Sequence, residues 1–456
     1  MTTGSTWRQA PAGDFTAFQA DPLGRLAEMR AALGDVFVVR RPGAVFSGEL
    51  DCAATVAVFG AANLREVLND SERFAMPASS SLRLALPPPL ARLNRSLHSM
   101  AEPEHGDHRR ALAQLLADTT VEPAAARRVL QACTQDWPAR APQPLLARMR
   151  ELSLRLASHV LLGPEADPAL AGLLQGFFAL RRRAASPAVK DTAAERPDLL
   201  ASGRALDRAL RRHLRTAKGG AIARLLDPAA AADVVLTEDE AVGHANILFV
   251  SATEPVAVAL TWTLLLLSQR PDLRRHVREA ATVLDGVLLE SLRLLPPNAF
   301  MTRLTTRPVR LAGVHLPARC EIVLCPFLVH REAAVFDRPS AFQPGRWRRA
   351  RPAPHEFLPF GAGRHACIGR GIGMELLRAT LGFVVQRHEV VLDGDQAIDW
   401  RVNVQFMPRD DVQVRFEPAG STARGGRLGG PVARLVELED LPRPPVRRPR
   451  RKAGAP

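Results

Sequence analysis

The stretch Phe360-Gly361-Ala362-Gly363-Arg364-His365-Ala366-Cys367-Ile368-Gly369 decides the fold. Gly361, Gly363 and Ala366 match the G-x-G-x-x-[G/A] spacing of a dinucleotide-binding turn, so a phosphate cradle is one reading. The same residues set a single cysteine between a glycine-rich turn and an expected helix start, so a metal held through sulfur is the other. A dinucleotide turn needs a buried strand before it and a βαβ unit around it. Here Pro354 and Pro359 interrupt the preceding residues, which makes a poor buried strand. The phosphate reading also lacks an acidic residue after a second strand about twenty residues on. The sulfur reading gains from the residues C-terminal to the cysteine. Gly369, Gly371 and Gly373 lead into an amphipathic pattern over 374–387, which puts Cys367 at or just before a helix N-terminus. Amide groups and the positive dipole end there favour a thiolate. Glycines around the sulfur also let a flat macrocycle approach the backbone.

The remainder of the chain bounds the answer. At 456 residues it can bury a large core, and 46% hydrophobic with 24% charged residues is soluble globular composition. Five cysteines, an odd number without framework spacing, argue against a disulfide scaffold and fit a reducing compartment. Cys320 and Cys325 have no nearby partner pair, so no zinc site is expected there. The N-terminus shows no signal peptide or anchor pattern. The most membrane-like run, 245–267, carries Glu254 and Pro255 at its centre and reads as a buried central helix. The net charge of +14 comes mostly from Arg, while aromatics are 5% and Tyr is absent. Without stacking residues, an Arg-rich solvated surface is preferred to nucleic-acid binding. A basic patch for an acidic protein partner fits equally.

Strand-like runs occur at 36–41 and 54–60, and 77–100 is loop-rich. From 104 to 270 the pattern is helical, with a capping box Thr237-x-x-Glu240 predicting a helix start near 238. Short strands return after 295, for example over 319–324. The fold class expected is mainly α with small β-sheets, as one large domain over 1–417. Residues 418–456, with nine Arg or Lys against three acids, are expected to form a disordered basic tail. It contains one short apolar patch, Val-Ala-Arg-Leu-Val-Glu-Leu-Glu-Asp-Leu over 432–441.

With these residues in view, 360–369 resembles the haem-binding loop of the cytochromes P450. The resemblance implies the P450 fold, a haem b cofactor and Cys367 as the axial thiolate ligand to its iron. It also implies that Phe360, Gly361 and Gly369 shape the loop around the sulfur, with the neighbouring amides tuning it. Glu290-Ser-Leu-Arg293 resembles the family's E-x-x-R. A Glu and an Arg at this spacing share one helix face, and Arg346 in Phe342-Gln-Pro-Gly-Arg346-Trp347 occupies the position of the third partner. These three imply a structural network under the haem loop. His105 and Arg109 resemble the family's H-x-x-x-R. With Arg303 and His365, the resemblance assigns them to the haem propionates, which need charge-assisted donors. His108 and Arg110 are expected to be surface residues. The resemblance covers roughly 20–416.

One departure bears on chemistry. The family's A-G-x-[D/E]-T aligns with Ser251-Ala252-Thr253-Glu254-Pro255. The acid is kept as Glu254. Pro255 replaces the threonine and brings neither a hydroxyl nor an N–H, and it is expected to open the helix at that turn. Ser251 or Thr253 could complete the proton relay through a water held by the freed carbonyl of Ser251. The first expectation is therefore a monooxygenase acting on a small, mainly apolar substrate, free or carrier-bound. The alternatives are a peroxide-driven or oxidative-coupling enzyme with altered proton delivery, and a non-catalytic haem-thiolate ligand binder or sensor. No flavin or nicotinamide fingerprint is present, so electrons are expected from a separate ferredoxin and ferredoxin reductase. Arg348, Arg349, Arg351, Arg364 and Arg370 would form the cationic docking face. Family placement puts 77–100, 173–183, Asn298–Phe300 and the region of Phe406 at the substrate pocket. Absence of an anchor and the Ala/Arg-rich usage suggest a cytoplasmic, bacterial-type enzyme of secondary metabolism.

Overall fold

The computed structural model describes residues 18–19, 21–49, 51–77, 86–100, 102–138, 140–184, 197–402 and 405–438. The helices that place the site are α1 (Glu104–Ala117), α2 (Leu145–Ala157), α3 (Pro168–Ala184), α4 (Pro197–Thr216), α5 (Glu238–Ser268), α6 (Ala281–Leu294) and α7 (Arg370–Arg387).

Helix α5 is the axis of the molecule. It starts where the capping box requires: Thr237 Oγ1 accepts from the Glu240 N–H, and the Glu240 carboxylate reaches back to the Thr237 N–H at 2.8 Å. It is apolar on every side, which a helix tolerates only when neighbours cover it all round. Helices α2, α4, α6 and α7 supply that cover. Among the described residues α5 alone is long and apolar enough to cross a membrane, and 67% of its most apolar window is buried inside the protein. The helix runs without interruption through Pro255. The proline therefore removes one backbone donor without ending the helix, because tertiary packing holds both flanks.

The main sheet contains β1 (Val36–Arg40), β2 (Ala54–Val58), β3 (Phe74–Ala75), β4 (Met301–Thr305) and β5 (Cys320–Leu324), in the order β1-β2-β5-β4-β3. β2 and β5 run parallel, with Ala54 opposite Cys320, and β4 runs antiparallel to β5, with Arg303 opposite Ile322. β2 and β5 are buried throughout without alternation, and β5 carries the buried Glu321, whose carboxylate accepts from the Val45 N–H and the Thr55 hydroxyl. Alternation along β4 puts Met301, Arg303 and Thr305 on one face.

The basic tail expected from 418 onward is corrected over most of its described length. Residues Leu428–Gly429 form a strand parallel to Gln396–Ala397, and Gly430–Ala433 form a short helix. Val432 is fully buried and Val436 is 5% exposed. The apolar patch in this segment supplies enough burial to dock it, which composition averaged over the tail concealed. Residues 439–456 lie outside the described residues.

Candidate haem site

The loop before α7 is built by hydrogen bonds of its own backbone. Gly361 N–H donates to Leu358 O at 3.0 Å, Ala366 N–H to Gly363 O at 3.1 Å, and Cys367 N–H to Phe360 O at 2.8 Å. Gly361 and Gly363 have φ of +66° and +70°. A Cβ on Gly363 would lie 2.0 Å from the carbonyl oxygen of Leu68, so the loop can sit on the end of the helix Ala61–Asn69 only with glycine there. Cys367 ends two residues before the helix cap, Gly369. Cys367 is exposed as a residue, while the atoms packed around its sulfur partly desolvate it. That desolvation pushes the thiol above its ordinary pKa, while a hydrogen bond from the Gly369 amide and the charge of Arg109 pull the other way.

Four cationic or imidazole groups gather at the loop: Arg109 acts on the sulfur, and His105, Arg109 and Arg303 act on His365. Helix α1 carries His105 and Arg109 one turn apart. Strand β4 carries Arg303 on the same face as Met301, whose Cε lies 3.8 Å from the point a Gly361 Cβ would occupy. His365 comes from the loop. Its ring centroid lies 4.5 Å from that of His105. Burial lowers its pKa to about 4, with Arg303, His105 and Arg109 adding repulsion.

Arg303 is 3% exposed, and burial lowers its pKa to about 10. Nη1 donates to Thr302 O at 2.8 Å, and Nε is buried without a partner. Among the described residues neither Arg303 nor Arg109 has a carboxylate partner in hydrogen-bond reach. A buried guanidinium in this state, as in Arg303, calls for an anion, and the half-buried Arg109 adds a second cationic donor. A thiol on a loop beside two arginines without carboxylate partners and two imidazoles fits haem, whose iron takes sulfur and whose propionates would supply the missing carboxylates.

Beneath the loop lies the E-x-x-R network. Glu290 and Arg293 are fully buried and paired at 2.8 Å, and Arg346 Nε meets Glu290 at 2.9 Å. Sequence reasoning missed two members. Trp347 Nε1 donates to Glu290 at 2.9 Å. His330, wholly buried, bridges the Arg293 carbonyl at 3.1 Å and the Leu358 N–H at 2.7 Å. A lone histidine between Val329 and Arg331, in no recognisable motif, gave no signal of this. Glu102 was missed as well: it accepts from Arg364 at 2.7 Å and faces His105 Nδ1 at 3.3 Å. Arg364, expected in the cationic docking face, is thereby neutralised.

The four relay residues do not share a face of α5. Ser251 is exposed and Pro255 half-buried on one side. Thr253 and Glu254 instead line a cavity of about 280 Å³ with Arg150, Gln175, Phe178 and Phe249. Arg150 Nε donates to Glu254 Oε2 at 3.0 Å, and the Thr253 hydroxyl donates to Val250 O at 3.1 Å. The family's acid position is therefore engaged by a guanidinium from α2.

Three further expectations need correction or placement. His108 is buried, not a surface residue, and its Nδ1 lies 2.8 Å from His244 Nε2. Its surroundings, Glu104 and Glu240, resemble a cation site, but Arg95 already pairs with both carboxylates, at 2.6 and 3.1 Å. Phe406 is fully buried between Trp262, Phe327 and Trp400, so its ring is core. Phe300 stacks on Phe46 at 4.5 Å. Of the expected 77–100 pocket segment, residues 78–85 lie outside the described residues.

A mainly helical chain with a cysteine loop seated on a Glu-Arg-Arg network defines a cytochrome P450 fold. The family model described as cytochrome P450 matches residues 214–407. Pentalenene oxygenase of Streptomyces avermitilis is 38% identical over 174 residues, which is 33% of this chain and 39% of that protein. Cyclooctatin synthase of Streptomyces melanosporofaciens is 34% identical over 160 residues, 31% of this chain and 35% of that one. The matches thus span under half the length of these relatives. The crystal structure of a six-coordinated cytochrome P450 from Thermus thermophilus shares the fold. Its TM-score is 0.67 at 24% identity, covering 87% of this chain and 99% of that one.

Proposed function

We propose that this protein is a haem-thiolate monooxygenase that oxidises a small, mainly apolar organic molecule. The observation that carries this reading is the exposed Cys367 on a loop whose His365 lies near the buried Arg303, which has no carboxylate partner among the described residues. Cys367 would hold the iron of haem b through sulfur, with the Gly369 amide on that sulfur. Arg109, Arg303, His105 and His365 would hold the propionates. Haem bound there supplies dioxygen activation and oxygen insertion. Phe360 and Gly361 shape the loop, while Glu290, Arg293 and Arg346 fix its support. The names of the two Streptomyces relatives support a small organic substrate. The Phe46–Phe300 ring pair, whose Phe300 lies in the segment that family placement puts at the pocket, supports an apolar one. On this reading electrons come from a separate ferredoxin and its reductase, docking on Arg348, Arg349, Arg351 and Arg370, all exposed. The reading places the enzyme in the cytoplasm and in secondary metabolism.

A second reading is favoured by α5. Glu254 is paired with Arg150 and Pro255 has no hydroxyl, so neither is free to pass protons to the cleft in the family's usual manner. Ser251, open on that side, is the remaining hydroxyl of the aligned stretch on that face. This favours peroxide-driven or coupling chemistry over reductase-driven hydroxylation.

The test is the carbon monoxide spectrum of the reduced, haem-loaded protein. The strongly red-shifted Soret band of thiolate ligation is expected, and it should vanish in Cys367→Ser. Absence of that band from the wild type overturns the reading. Soret titration with apolar compounds then identifies the substrate class, and turnover with peroxide against turnover with ferredoxin separates the two chemistries. A haem that binds ligands and oxidises none of the compounds shifting its spectrum would make the protein a sensor.

A further inference from the structure

Residues 426–438 dock along one continuous line. Gly426 N–H donates to Leu392 O at 2.9 Å, and Gln269 at the end of α5 bonds both Gly426 O, at 3.2 Å, and Leu428 N–H, at 3.0 Å. Val432 and Val436 are buried in the core beyond it. The line ends at Glu437, whose backbone N–H donates to Ser340 O at 2.8 Å and whose carbonyl accepts from Phe342 N–H at 2.9 Å. The two bonds flank Ala341 and commit its neighbours to one side. Successive backbone groups in an extended chain point to opposite sides, so the Ala341 carbonyl is turned the other way. There it accepts from Arg293 Nη2 at 3.2 Å and from Arg346 Nη2 at 3.4 Å. From Arg293 the path continues through its carbonyl to His330, from His330 to Leu358, and from Leu358 O to Gly361 N–H at the base of the cysteine loop.

We propose that segment 426–438 is a strap that positions the cysteine loop for haem. The backbone of Glu437 sets the Ala341 carbonyl on which both network arginines converge. This inference rests on the haem reading of Cys367. Glu437 is a positioning residue through its backbone; among the described residues its side chain reaches the exposed Arg338 at 3.7 Å, and it is dispensable.

The test compares three full-length, haem-loaded variants with the wild type. The readouts are the rate of haem transfer to apomyoglobin and the share of the carbon monoxide Soret band in the red-shifted thiolate form. Glu437→Pro removes the N–H that bonds Ser340. It should shed haem roughly ten-fold faster or more, the scale of supporting-shell losses at metal sites, and lose part of the thiolate band. Glu437→Ala keeps both backbone bonds and should match the wild type. Val436→Ala thins the buried anchor and should move both readouts the same way by a smaller factor, and it decides the matter if Glu437→Pro does not fold. A folded Glu437→Pro with wild-type haem loss and thiolate band overturns the strap. A wild type without that band overturns the haem reading itself.

Discussion

His330 holds Leu358 in a way that fixes its own protonation. Nδ1 must carry the proton it donates to the Arg293 carbonyl, so Nε2 is left to accept the Leu358 N–H at 2.7 Å. One neutral tautomer satisfies both bonds, and it ties α6 to the start of the cysteine loop.

That arrangement predicts a pH dependence of stability. Burial lowers the pKa of His330 from 6.5 to about 3. Above pH 6.5 the ring is neutral in both states and the contribution is whole. As pH falls below 6.5 the unfolded chain takes up the proton first, so stability is lost down to the folded pKa of about 3. The slope from this one group is about 1.4 kcal/mol per pH unit inside that window. Urea unfolding at a series of pH values should show a shallower acid slope in His330→Gln than in the wild type. Equal slopes would mean that His330 is not held neutral.

Glu290 is fully buried and accepts from Arg293, Arg346, Trp347 and the Gln343 amide. Removing its charge strands two guanidinium groups. Glu290→Gln should cost about 3–5 kcal/mol in denaturant unfolding. A loss of under about 1 kcal/mol, the value of a surface pair, would show that the network carries little.

Arg303 should respond oppositely in the two states of the protein. Without haem its buried Nε has no partner, so Arg303→Met should leave the apoprotein as stable or raise its stability by about 1–2 kcal/mol. In the haem-loaded protein the same change should weaken retention by roughly ten-fold. Thermal melts of both forms, with haem transfer to apomyoglobin, make the comparison. Destabilised apoprotein with unaltered haem retention would assign Arg303 to the sheet alone.

Pro255 lies inside an unbroken helix, where proline costs up to about 3 kcal/mol. Pro255→Thr should therefore raise stability by about 1–3 kcal/mol, with restoration of the backbone bond to Ser251. It also returns a hydroxyl beside the cleft, and should raise ferredoxin-supported turnover relative to peroxide-supported turnover. An unchanged ratio would show that the proline serves the helix and not proton delivery.

The sequence by itself carried the loop 360–369, the spacing of Glu290 and Arg293, the capping box at 237–240 and the buried character of α5. Each is written in local chemistry: a backbone conformation only glycine takes freely, a helix face, an end that must be capped, an apolar run. Tertiary structure decided the rest, because those outcomes depend on groups distant along the chain. Arg150 reaches Glu254 from α2 and turns the acid into one half of an ion pair. His330 and Trp347 join a network centred on Glu290 and Arg293, tens of residues away along the chain. The tail's few apolar residues find a groove beside Ala341, where burial outweighs a composition that reads as disordered. A charge, an imidazole or a valine has no role until packing sets its partner, and that partner is fixed by the fold.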